Sequence, residues 1–205
     1  MSFDLGLERL INGLAGRSRL LDAVMVAFAQ YSPLVLALIL LVVYFAPDPR
    51  RRWRRLVAIY AGAAALVALA VSYVIGLAWY RPRPFVADPT LVHALVAHAN
   101  DSSFPSDHAT LAFAIALGLW SLGPAWGPLL LALGVVVAFA RVFVGVHWPT
   151  DVLAGAILGG LAGWLLPRLA QSLNPYLNRL LDALGPLGQD APPASENEEP
   201  RPGHS

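Results

Sequence analysis

Residues 101–113 read DSSFPSDHATLAF. Small polar residues run into a proline, Ser106, Asp107 and His108 follow at once, and the chain then turns apolar. Pro105-Ser106 is a helix-opening signal, because serine favours the N-cap, where its hydroxyl can accept from a first-turn amide. From Ala109 to Ala140 the chain carries no charge. Two more uncharged stretches, 56–80 and 152–166, flank this one. About 20 apolar residues suffice for a helix to cross ~30 Å of hydrocarbon.

Composition agrees: 57% of the 205 residues are apolar and 13% are charged. Soluble domains run nearer ~45–50% and ~25%. The predicted fold class is therefore all-α, a polytopic membrane helix bundle. Five spans are predicted: 20–46, 55–80, 106–122, 127–145 and 150–167. SLGPAWGP, residues 121–128, supplies the break between the third and fourth. An N-terminal amphipathic helix precedes them. Phe3, Leu7, Leu10, Ile11 and Leu14 share one face, and Asp4, Glu8 and Asn12 lie on others. That pattern suits a helix lying in the membrane interface, or equally one packed on the bundle. A second amphipathic helix is expected after span five, with a break at Asn174-Pro175. Residues 1–185 form one membrane-embedded domain with its core over 50–170. Residues 186–205, rich in Pro, Glu and Ser, read as a disordered cytoplasmic tail.

Several functions fall away at once. The net charge of +1 leaves no nucleic-acid footprint. The chain has no cysteine, which removes disulfides and thiol catalysis. All 14 basic residues are arginine, and five of them (Arg50, Arg51, Arg52, Arg54 and Arg55) lie between spans one and two. Positive loops stay cytoplasmic, so the loop after span two faces outside. Three polar clusters then share the outer end of the bundle: YRPRPF (80–85), FPSDH (104–108) and RVFVGVHWPTD (141–151). Spans two to five carry no charge near their middles, unlike the ionisable chains of ion or proton pathways.

These clusters have a chemistry. Arg83 and Arg141 offer planar donor forks that match phosphate oxygens. Helix N-termini attract anions, so Ser106 either caps its helix or bonds a phosphate. His108 lies in that first turn. Asp151, four residues after His147, is placed to orient its imidazole. His147, Asp151 and one further histidine supply too few ligands for a metal, so no metal and no cofactor are expected. His93 and His98, in the outer loop, read as solvated. Gly155, Gly159 and Gly163 form a small-residue ridge suited to close helix packing, within the monomer in the favoured reading and between two copies in the alternative.

The motifs resemble the type 2 phosphatidic acid phosphatase superfamily. Arg141-x5-His147-x3-Asp151 is similar to its third signature and Pro105-Ser106-Asp107-His108 to its second, where glycine usually stands at Asp107. Arg83-Pro84 resembles the end of its first, Lys-x6-Arg-Pro. Together, RPRPF, SSFPSDHAT and GVHWPTDVLAG are most similar to the bacterial undecaprenyl pyrophosphate phosphatases. The resemblance implies a metal-independent lipid (di)phosphatase. His147 would be the nucleophile, Asp151 its orienting carboxylate and His108 the general acid. Arg83, Ser106 and Arg141 would bind phosphate, with Asp107 beside them and Arg81 standing in for the signature lysine, whose position is Gly76. Ala140 replaces a serine that usually precedes the third-signature arginine. The implied substrate is a polyprenyl diphosphate in the bacterial cytoplasmic membrane, hydrolysed at the outer face. Phosphatidylglycerophosphate, phosphatidic acid and lipid A phosphates are the rival substrates, and a lipid transporter that only binds headgroups is the rival class. Nothing in the motifs sets an oligomeric state.

Overall fold

The computed structural model describes residues 2–170 and 174–183. The described chain is helical, in the order α1 (Ser2–Asn12), α2 (Arg19–Phe45), α3 (Arg51–Ala78), α4 (Pro84–Ala87), α5 (Asp107–Gly118), α6 (Trp126–Phe143), α7 (Pro149–Leu169) and α8 (Asn174–Ala183). A 3₁₀ turn, Trp120–Leu122, continues α5. The expected tail beyond residue 185 lies outside the described residues.

Four helices, α2, α3, α6 and α7, are long and apolar enough to cross a membrane. The predicted third span is α5, and it is different in kind. With the 3₁₀ turn that continues it, it is a shorter apolar helix over Asp107–Leu122. It also forms the core of the bundle, with Ala109, Thr110, Ala112, Ala114, Ile115 and Ala116 all buried. Large apolar side chains such as Leu38, Leu66, Leu77, Leu129, Ile157 and Leu161 point outward. That distribution suits lipid as solvent, where close packing of small residues holds helices together.

The glycine ridge performs this packing within the chain. A Cβ at Gly155 would lie 2.5 Å from the Ser106 carbonyl oxygen, at Gly159 2.0 Å from that of Thr110, and at Gly163 2.2 Å from that of Ala114. Only glycine lets α7 approach the α5 backbone so closely. The two helices whose first turns carry Ser106–His108 and His147–Asp151 are thereby locked side by side.

The N-terminal helix is turned round. Its apolar residues Phe3 and Leu10 are exposed, while Asp4, Glu8 and Asn12 are buried at 7%, 1% and 1% exposure. Helix α1 thus presents a polar stripe to the protein and an apolar face outward. At the opposite end of the bundle, α8 packs Leu177 near Leu56 and Tyr60 of α3. Its first residue, Asn174, accepts a hydrogen bond from the Tyr60 hydroxyl.

Candidate active site

The ends of four helices meet the segment 79–106 at one end of the bundle. Arg83 follows α3 and is 4% exposed. Its Nη1 donates to the Val146 carbonyl at 2.9 Å and approaches His147 Nε2 at 3.2 Å. Its Nη2 donates to the Ser102 carbonyl, and its Nε to Asp101 Oδ1 at 2.9 Å.

His147 is buried just before α7. Its Nδ1 lies 2.8 Å from the Ser103 carbonyl oxygen. A carbonyl only accepts, so Nδ1 bears the hydrogen and Nε2 keeps its lone pair. Asp151 Oδ2 stands further off, at 3.7 Å from Nδ1. That oxygen accepts the Trp148 amide at 2.8 Å instead, closing the first turn of α7. Burial first, then the charges of Arg141 and Arg83, hold the His147 imidazole well below its ordinary range. His108 also acts on it electrostatically.

Donors without partners gather here. Arg141 is 3% exposed and spends only Nη1, on the Ala29 carbonyl at 2.9 Å. Its Nε and Nη2 are buried with no protein acceptor, as is the hydroxyl of Ser106, whereas the Ser103 hydroxyl is directed at the Asp151 carboxylate. Ser106 occupies the N-cap position of α5, yet its hydroxyl caps nothing. Its amide donates to the Asp151 carbonyl at 3.1 Å, which joins the two motifs through the backbone. Buried donors left unmade cost about 1–3 kcal/mol each. Three in one place mark a site built to receive acceptors, and two arginines make those acceptors anionic.

Two residues expected on the phosphate have other partners. Arg81 donates through Nη1 to Asp151 Oδ1 and Thr150 Oγ1, at 2.6 and 2.7 Å, and through Nη2 to Asp4 Oδ2 at 2.6 Å. Asp107 accepts from the Ser72 hydroxyl at 2.6 Å. At Gly76, the lysine position, a Cβ would sit 3.4 Å from the Phe104 carbonyl oxygen.

Sequence reasoning missed Asp4, Asn12, Asp101 and Ser103. Asp4 also accepts the Thr150 amide and hydroxyl. Asn12 bonds His93 and Phe143. The one available signal was the i, i+4, i+8 spacing of Asp4, Glu8 and Asn12. His98, expected in solvent, is half-buried with its ring edge-on to His147, centroids 6.4 Å apart. A cavity of about 650 Å³ adjoins the site, lined by Trp79, Arg81, Phe104, Trp148, Asp4 and Arg9 among others. Among the described residues no three His, Cys, Asp or Glu side chains group as metal ligands.

A bundle of apolar helices that buries arginine forks around a lone-pair imidazole defines an integral-membrane phosphatase. The PAP2 superfamily matches residues 57–175, more than half of the chain, and the chain belongs to that superfamily. It is 36% identical over 170 residues to undecaprenyl-diphosphatase BcrC of Bacillus subtilis, covering 83% of this chain and 86% of that protein. Among solved structures it is similar to Aquifex aeolicus LpxE, with 26% identity and a TM-score of 0.66 over 80% of this chain and 94% of that one. A PAP2-type phosphatidylglycerolphosphate phosphatase of Bacillus subtilis shares the fold, with 21% identity and a TM-score of 0.63 over 82% and 87%.

Proposed function

We propose that this protein hydrolyses undecaprenyl diphosphate to undecaprenyl phosphate and phosphate at the outer face of the bacterial cytoplasmic membrane. The observation that carries the chemistry is the set of orphaned donors on Arg141 and Ser106 beside His147. The relative named an undecaprenyl-diphosphatase supports the substrate.

His147 Nε2 attacks the terminal phosphorus. An N–P bond forms as the P–O bond to the lipid phosphate breaks, and His108 gives a proton to the departing oxygen. Water then attacks the phosphohistidine, His108 takes a proton from it, and phosphate leaves. Arg83 donates into the Nε2 lone pair when no substrate is bound. A phosphate oxygen is the better acceptor, so substrate binding draws Arg83 off the nucleophile. Arg141 and Ser106 hold the remaining oxygens and stabilise charge in the transition state. The Ser103 carbonyl fixes the tautomer of His147. Asp151 lies behind it, held by the Trp148 amide and Arg81, and favours the positive charge the ring gains on attack. Arg81 and Asp107 thus serve one layer back from the phosphate.

The test is phosphate release by purified protein in detergent from matched micelles of polyprenyl diphosphate, phosphatidylglycerophosphate and phosphatidic acid. The diphosphate is expected to give the highest kcat/KM, with activity retained in chelator and lost to vanadate. Equal rates on all three would make it a broad lipid phosphatase. Activity lost in chelator and restored by magnesium would overturn the histidine mechanism.

A further inference from the structure

The loop from Asp88 to Ser106 is pinned at several points. The Leu95 amide donates to the Val144 carbonyl at 3.2 Å. The His93 amide donates to Asn12 Oδ1 at 2.8 Å, and Asn12 Nδ2 returns a bond to the His93 carbonyl at 2.9 Å. Val96 is buried in one cluster with Phe143, Val144 and Val146, the residues leading into His147. His98 follows two residues later and cannot drift far from that anchor.

Its surroundings are those of a site residue. The ring stands edge-on to His147, at 78° between planes. Nδ1 faces the Ala99 carbonyl at 3.2 Å and Asp101 Oδ1 at 3.7 Å. Both are acceptors, so Nδ1 bears the hydrogen, and among the described residues Nε2 has no hydrogen-bond partner. The same Asp101 oxygen accepts Arg83 Nε. One carboxylate therefore ties His98 to the arginine that faces the nucleophile. Burial first, then the charges of Arg83 and Arg141, keep His98 below the ordinary imidazole range.

The proposed reaction places two phosphates here. The reacting one takes Arg83, Arg141 and Ser106. The other stays on the lipid, one bridging oxygen away, and brings further negative charge. We infer that His98 is a specificity-determining residue that binds the lipid-side phosphate and so selects diphosphates over monophosphates. A diphosphate offsets the two arginine charges that add to burial in disfavouring the protonated ring. Nε2 then takes up a proton and donates to a phosphate oxygen, while Nδ1–H stays on Ala99. A monophosphate ester has no group at that position.

This inference rests on the diphosphatase reading, and its test separates the two. Wild type, His98→Ala and His98→Lys are compared on polyprenyl diphosphate, on phosphatidic acid in the same micelles, and on nitrophenyl phosphate. A hydrogen bond to a charged group corresponds to about tenfold to hundredfold in kcat/KM. His98→Ala is expected to lose that much on the diphosphate and less than about threefold on either monophosphate, a loss short of one such bond. His98→Lys, which restores a cationic donor, is expected to recover part of the preference. Matching thermal midpoints for the three proteins identify the change as one of recognition. Equal losses on all substrates would make His98 a support for the loop or the reacting phosphate, and undiminished diphosphate hydrolysis would make it a bystander; either overturns the inference. A wild type that cleaves nitrophenyl phosphate but not polyprenyl diphosphate would sink the diphosphatase reading, and the role of His98 with it.

Discussion

A histidine attacks phosphorus only through a nitrogen whose lone pair is free, and a histidine that protonates a leaving group must be charged when it does so. For His108, near Arg141 and Arg83, that calls for the negative charge of the bound phosphates. His147 meets the first condition, because burial and two arginines keep the ring neutral and the Ser103 carbonyl holds the hydrogen on Nδ1. General acid catalysis contributes about 10²–10⁴-fold, and only where the leaving group needs a proton. On a lipid diphosphate, His147→Ala and His108→Ala are both expected to lose nearly all activity. On nitrophenyl phosphate, whose leaving group departs unprotonated, His108→Ala is expected to recover much of its rate and His147→Ala none. Single-turnover rates on the two substrates decide it: rescue of His147→Ala alone would reverse the two roles. His147, His108 and Asp151 were legible in the sequence because each falls inside a motif of fixed spacing. Ser103 and Asp101 were not. Ser103 acts through its backbone carbonyl, which any residue supplies, and Asp101 meets Arg83 only through the fold of a loop.

Among the elements, α5 and α7 owe their contact to what their sequences lack. The stripe Gly155, Gly159, Gly163 has no side chain to hold α7 away from the α5 carbonyls. That contact was readable, because small residues four apart have few other uses in a membrane helix. Helix α1 was harder to read. Its amphipathic pattern was plain, but the pattern does not say which face meets protein. In a soluble protein the apolar face turns inward; here the polar face turns inward, since lipid suits Phe3 and Leu10 and the site needs Asp4 on Arg81 and Thr150. Glu8 bears the cost. It lies between these contacts with Oε1 unpartnered, and burial raises its carboxyl from 4.5 to about 7, against the pull of Arg9 and with a push from Asp88. A carboxyl whose pKa is higher in the folded state stabilises that state below the unfolded value. The contribution of Glu8 to the docking of α1 is therefore expected to be fullest near pH 4.5, where Asp4 still holds Arg81, and to be lost as pH rises through 7. Limited proteolysis of the N-terminus across that range measures it. Glu8→Gln, which stays neutral, is expected to flatten the profile; an unchanged profile would mean that Glu8 does not govern the docking.

For the whole molecule the question is which way the bundle sits in its membrane. Arg50 to Arg55 lie at the start of α3, and Arg81 and Arg83 follow its end. A helix of 28 residues rises about 42 Å, more than the hydrocarbon thickness. The arginine cluster and the candidate site therefore stand on opposite sides. Helix α8 packs on α3 at the arginine end, so the C-terminal helix shares that side. Short loops rich in arginine tend to remain in the cytoplasm, so the proposed function puts the site at the outer face, and that orientation is open to direct test. The chain has no cysteine, so a single introduced thiol reports its side without background. Ala97 is exposed on the loop beside the site, and Pro49 precedes the arginine cluster. In intact cells Ala97→Cys is expected to react with a membrane-impermeant maleimide, and Pro49→Cys only after the membrane is opened. Active protein with the reverse labelling would place the site in the cytoplasm and exclude a role at the outer face.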